Sequence, residues 1–252
     1  MIGIFDSGSG GLTVLQAIKN VLPSSDVLYF GDIKNAPYGS RTPEELSVFT
    51  INALRLLQTG GAKSIVSACN SVSASLAISL FDALDIAPTE LIEMVGPTVS
   101  YFKDSDAKIV LCATPATTKS GIYQNAFRMI GKDVVAVPIP DLAPAIEFGK
   151  SEDEMRALIK NAFAGVDLSN SDVLILACTH YPLVDSLFKE LLPGLKIFDP
   201  AIAVAARVEK RFWPLEAGYG KMQFLISKDS EQFRALVPKL FPGEKYSIEV
   251  IQ

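Results

Sequence analysis

Ser64-Ile65-Val66-Ser67-Ala68-Cys69-Asn70 and Asp172-Val173-Leu174-Ile175-Leu176-Ala177-Cys178-Thr179 decide the fold. Each is an apolar run closing on Ala-Cys and a polar residue, and Cys178 follows Cys69 by 109 positions. A second pair of anchors keeps nearly that spacing. Phe5-Asp6-Ser7-Gly8 is answered by Ile109-Val110-Leu111-Cys112-Ala113-Thr114-Pro115, with Thr114 standing 108 positions after Asp6. Continuous runs of Ile, Val and Leu are the mark of strands buried on both faces, which need helices packed on either side. The chain therefore reads as two similar units of parallel sheet and helix.

Working outward, the same pattern places strands near 2–5, 26–30, 63–68, 90–95, 108–113, 133–138, 172–177, 195–198, 221–227 and 245–250. Helical periodicity falls near 12–21, 43–58, 72–84, 116–130, 152–165, 183–191, 201–213 and 229–240. Thr42-Pro43-Glu44-Glu45 opens a helix with Thr as cap, Pro at the first helical position and Glu three residues on, leaving 35–41 as a loop. The expected organisation is α/β: two similar parallel-sheet domains related by pseudo-symmetry, with a cleft between them. The first domain takes residues 1–93 plus 207–252, the second 94–206.

Composition narrows the function. The 252 residues carry 23 Lys+Arg against 28 Asp+Glu, a net charge of −5, with 49% hydrophobic residues. This is a globular composition without the basic cluster that nucleic acid requires. No apolar run reaches the ~18–20 residues of a membrane span. The first residues lack the basic and apolar regions of a secretory signal, so a cytoplasmic protein is expected. Three cysteines and one histidine offer neither a disulfide framework nor zinc spacing, and no phosphate-binding G-x-x-x-x-G-K-[ST] occurs. A small-molecule partner is expected.

In parallel sheets, ligands collect at the carboxyl ends of the strands. Asp6-Ser7-Gly8-Ser9-Gly10-Gly11 falls there. Alone, it reads as a glycine-rich turn with Asp6 as cap. Cys69 and Cys178 fall at strand ends too, and a lone buried cysteine is usually an inert core residue. Equivalent placement in two facing units sets the two thiols on opposite sides of one cleft. Cys112, amid a strand, belongs to the core. His180, the sole histidine, stands two residues after Cys178, so imidazole and thiol can share a proton near neutrality. Asp6 is placed to serve Cys69 likewise. The Pro37-Tyr38-Gly39-Ser40-Arg41 loop offers a hydroxyl and backbone donors to a carboxylate.

These residues together resemble one family, the cofactor-independent glutamate racemases of the aspartate/glutamate racemase superfamily. The matching runs are 5–11, Tyr29-Phe30-Gly31-Asp32 with Pro37-Tyr38-Gly39, Ala68-Cys69-Asn70-Ser71, Thr114-Pro115-Ala116-Thr117, Ala143-Pro144-Ala145-Ile146-Glu147 and Cys178-Thr179-His180-Tyr181-Pro182-Leu183. The chain departs from the family pattern at Ser71, at Ala177, and in the segments 33–36 and 198–203. The resemblance implies interconversion of L- and D-glutamate by two cysteines, without pyridoxal or metal, to supply D-glutamate for peptidoglycan and cell-wall growth. It makes Cys69 the group acting on D-glutamate and Cys178 on L-glutamate, assisted by Asp6 and His180. Asp6, Ser7, Tyr38, Gly39, Asn70, Ser71, Thr179 and His180 would hold the substrate, with Thr114, Thr117 and Glu147 lining or supporting the pocket. It also implies a homodimer. Alternatives on the same fold are a racemase of aspartate or another α-carboxylate and a catalytically silent binding protein.

Overall fold

The computed structural model describes residues 1–73, 90–214 and 217–251. Among the described residues, ten strands fall where the apolar runs predict them: β1 (Ile2–Asp6), β2 (Val27–Gly31), β3 (Ser64–Ser67), β4 (Leu91–Ile92), β5 (Ile109–Ala113), β6 (Val135–Pro138), β7 (Val173–Ala177), β8 (Lys196–Phe198), β9 (Met222–Ile226) and β10 (Tyr246–Val250). They form two sheets, ordered β10-β9-β2-β1-β3-β4 and β6-β5-β7-β8. Every neighbouring pair is parallel. The order β2-β1-β3-β4 recurs as β6-β5-β7-β8, so the repeat in the sequence is also a repeat in space. Because β1, β5 and β7 are central, all their residues are buried, which accounts for their unbroken apolar character.

Helices cover both faces of each sheet. The Gly11–Val21 helix packs on the first sheet beside the Ala201–Phe212 helix, whose Val204, Ala205, Val208 and Phe212 join Ile2, Ile4 and Leu15 in one core. The expected division at 206/207 thus falls inside this helix. We propose instead that the first unit resumes at Ala201, because the helix buries its apolar face there. Thr42 caps the Pro43–Thr59 helix in a complete capping box with Glu45. No helix among the described residues is long and apolar enough to cross a membrane.

Three helical readings change. The predicted 116–130 helix is two, Pro115–Ser120 and Ile122–Met129, broken at Gly121, whose φ of 67° is left-handed. Helices at Val95–Tyr101 and Leu142–Glu147 are additional. Pro97 and Pro144 disguise them, yet each proline sits in the first turns, where its missing N–H costs nothing. The predicted 72–84 helix begins at Asn70 and is described to Ser73; the rest lies outside the described residues.

Candidate active site

The central strands of both units deliver their carboxyl ends to one place. β3 ends before Cys69 and β7 before Cys178, while the loop after β1 and Thr114 after β5 supply the flanks. Ser7, Tyr38, Gly39, Cys69, Asn70, Ser71, Thr114, Glu147, Cys178, Thr179 and His180 line one cavity of about 20 Å³. Asp6 and Thr117 stand behind the lining, both buried. Ala36, Pro37 and Ala143 complete it. All three cysteines are free, and Cys112 is in the core.

Glu147 and His180 form the densest polar contact. His180 Nε2 lies 2.6 Å from Glu147 Oε2, and the ring's Nδ1 lies 4.0 Å from Cys178 Sγ. Burial alone would lower the imidazole pKa. Its bonds to Cys178 and Glu147, with the charge on Glu147, carry it well above the ordinary value, so His180 is an imidazolium at neutral pH. Burial likewise pushes Glu147 up, but the bonds from His180 and Ser9 prevail and hold it below the usual carboxylate range. Ser9 donates to Glu147 Oε2 from its backbone N–H at 2.8 Å and from its hydroxyl at 2.7 Å.

That contact ties the first unit to the second, and two glycines permit it. A Cβ on Gly8 would stand 2.6 Å from Glu147 Oε2, and one on Gly10 2.5 Å from Thr179 Oγ1 and 2.6 Å from His180 Nδ1. The glycine-rich loop is therefore a close-approach surface between the units. Thr179 adds a second tie, donating to Asp6 Oδ1 at 3.1 Å. Asp6 also accepts from the Gly8 N–H at 3.0 Å, and burial raises its pKa despite the opposing charge on His180.

Cys69 donates to Ser7 Oγ at 3.7 Å. Burial first, and the negative charge of Asp6 second, push its pKa to about 12, so it is a thiol at neutral pH. Asp6 thus reaches Cys69 through its charge, while it accepts its own hydrogen bonds from the Gly8 and Gly11 N–H groups and from Thr179. Tyr38 also differs from expectation. Its hydroxyl donates to Asp32 Oδ2 at 2.6 Å, so the loop meets the cavity with ring and backbone. Asp32 further accepts from Asn35 at 2.9 Å and from Ser227 at 2.8 Å, anchoring the loop.

Ser71, Thr114 and Thr117 close the cavity with a hydroxyl cluster, Ser71 Oγ lying 2.9 Å from Thr114 Oγ1 and 3.4 Å from Thr117 Oγ1. Two buried polar atoms of the lining residues lack partners, Asn70 Nδ2 and Glu147 Oε1. One donor and one acceptor left open in this way match a ligand bearing both carboxylate and ammonium. Sequence reasoning missed Ser9, Asp32 and Tyr123, which act through neighbours. Ser9 lay within the quoted loop, whereas Tyr123 is one more large residue on an amphipathic helix.

Two thiols, each able to take or give a proton and both lining one polar cavity, fit a proton-transfer isomerase. Residues 2–208 match the family described as Asp/Glu/Hydantoin racemase, and the chain belongs to that family. It is 33% identical over 262 residues to glutamate racemase 3 of Caldanaerobacter subterraneus subsp. tengcongensis, covering 99% of this chain and 94% of that protein. Glutamate racemase isoform RacE1 from Bacillus anthracis superposes with a TM-score of 0.88 at 28% identity, covering 100% of this chain and 97% of that one. The Francisella tularensis glutamate racemase, solved in complex with D-glutamate, gives 0.87 at 25% identity, covering the same shares.

Proposed function

We propose that the protein interconverts L- and D-glutamate by moving the α-proton between two thiols. What carries this reading is that Cys69 and Cys178, from equivalent strand ends of the two units, line the same cavity. The relatives named above, matched over nearly their full lengths, support glutamate as substrate. In the L-to-D direction the Cys178 thiolate takes the α-proton, breaking the C–H bond and leaving the electron pair on the carbanion. The Cys69 thiol then delivers its proton to the opposite face. Cys178 ends protonated and Cys69 ionised, and proton exchange with solvent resets them. Protonated Cys69 is thus the resting form ready for L-glutamate. His180 is placed to exchange a proton with Cys178, and Asp6 sets the charge around Cys69. Asn70 Nδ2 donates to a substrate carboxylate, and the cluster of Ser71, Thr114 and Thr117 supplies further hydroxyls. Ser7, Gly39 and Thr179 bound the same space. The reading requires neither pyridoxal nor metal, and it extends to D-glutamate supply for peptidoglycan by a cytoplasmic homodimer.

Solvent exchange tests the division of labour. Cys69→Ser replaces a thiol by a far weaker acid–base group. In D₂O this variant is expected to exchange the α-hydrogen of L-glutamate without inverting it and to leave D-glutamate untouched, with Cys178→Ser giving the mirror result. Proton NMR with chiral chromatography reads both. Racemisation near the wild-type rate in either variant would exclude the two-thiol mechanism.

A further inference from the structure

Behind the cavity wall, the Ile122–Met129 helix carries Tyr123, fully buried and outside the lining. Its hydroxyl donates to Asn70 Oδ1 at 2.6 Å. Burial, above all, keeps the phenol protonated at any physiological pH, so it always has a proton to give. The other corner of the same amide, Nδ2, is buried without a partner, on a residue that lines the cavity. An amide has two nearly isosteric ends, and only its hydrogen bonds decide which end faces which way. The opposite flip would turn Oδ1 toward the cavity, where it would confront a substrate carboxylate with a second acceptor.

The geometry points to Tyr123 as a positioning residue, whose hydroxyl fixes the flip of the Asn70 amide so that its NH₂ end faces the substrate carboxylate. The assignment rests on the racemase reading above. Its chemistry is that of a preset donor: the amide is oriented before substrate arrives, and no reorganisation is needed when the carboxylate docks. Position depends on the break at Gly121, since the helix bearing Tyr123 restarts there in a new direction, and packs against the Val95–Tyr101 helix.

Tyr123→Phe keeps the ring and removes the hydroxyl alone. With both ends of the amide then open, the substrate donor is lost for part of the population, and KM for both enantiomers is expected to rise about tenfold with a smaller change in kcat. In an Asn70→Ala background the same substitution is expected to leave KM unchanged, because nothing remains to orient. A KM unaltered by Tyr123→Phe, or raised equally in both backgrounds, would overturn the assignment. A second measurement needs no variant: in ¹⁵N-labelled wild-type protein the Asn70 side-chain NH₂ signal should shift on addition of D-glutamate, and a signal that stays fixed at saturation would also overturn it. Wild-type protein that turns over neither enantiomer would instead defeat the racemase reading.

Discussion

Glu147 shows how much one residue can carry. Its Oε2 receives His180 and both donors of Ser9, so a single carboxylate oxygen joins the imidazole beside Cys178 to the loop after β1. Glu147→Gln keeps the shape but withdraws the charge that helps hold His180 protonated. The His180 pKa is then expected to fall, and the pH above which the rate from L-glutamate declines should move down with it, measured as kcat/KM across pH 6–10, roughly the range where such groups titrate. A loss of about 10²-fold at pH 8 is expected, the low end of general acid–base assistance. An unchanged pH profile would make Glu147 merely a tie between units. The residue was legible in the sequence through its family run, but its partner Ser9 was not, because contacts 138 positions apart leave no local signal.

Helices and strands divide cleanly between what local sequence reveals and what it hides. The capping box at Thr42 and the apolar strands are local devices and were read correctly from the residues. Gly121 was not, since an isolated glycine within a helical period is usually tolerated, and only the packing of Tyr123 and Phe127 into the second core demands a change of direction. A further element-scale consequence concerns Asp199, whose Oδ1 accepts from the Ala201 N–H at the start of the Ala201–Phe212 helix. Burial raises its pKa to about 6, from 3.8. With the folded value above the unfolded one, the group's contribution to stability is complete below about 3.8 and is lost as pH rises through about 6. Asp199→Asn retains the accepting oxygen and escapes that loss. The variant should therefore be more stable than wild type at pH 8, by on the order of 2 kcal/mol of unfolding free energy after allowance for solvent screening, and melt correspondingly higher, with the advantage shrinking toward pH 4. Melting curves that differ equally at both pH values would refute it.

At the scale of the whole molecule, the ties of Ser9 to Glu147 and of Thr179 to Asp6 close the two units on a cavity of about 20 Å³. That is room for roughly one water, far less than an amino dicarboxylate requires. The lining must therefore move to admit glutamate, and the expected movement is a parting of the units that loosens these ties. Because the cavity cannot hold it with the ties intact, saturating D-glutamate should loosen the Ser9–Glu147 contact and speed hydrogen exchange at the Ser9 amide, and exchange mass spectrometry of the segment spanning 7–12 would show it. Gly10→Ala, which sets a methyl against Thr179 and His180, should speed exchange in the same segment without any ligand and lower activity. By itself the sequence determined the two-unit architecture, the strands and the candidate thiols, because buried parallel strands and their polar ends are written in contiguous residues. Only the tertiary structure decided which way the polar groups point: Tyr38 toward Asp32, Asp6 toward Thr179, Tyr123 toward Asn70. Hydrogen bonds are directional and short, and their partners here come from segments brought together only when both sheets have folded and closed.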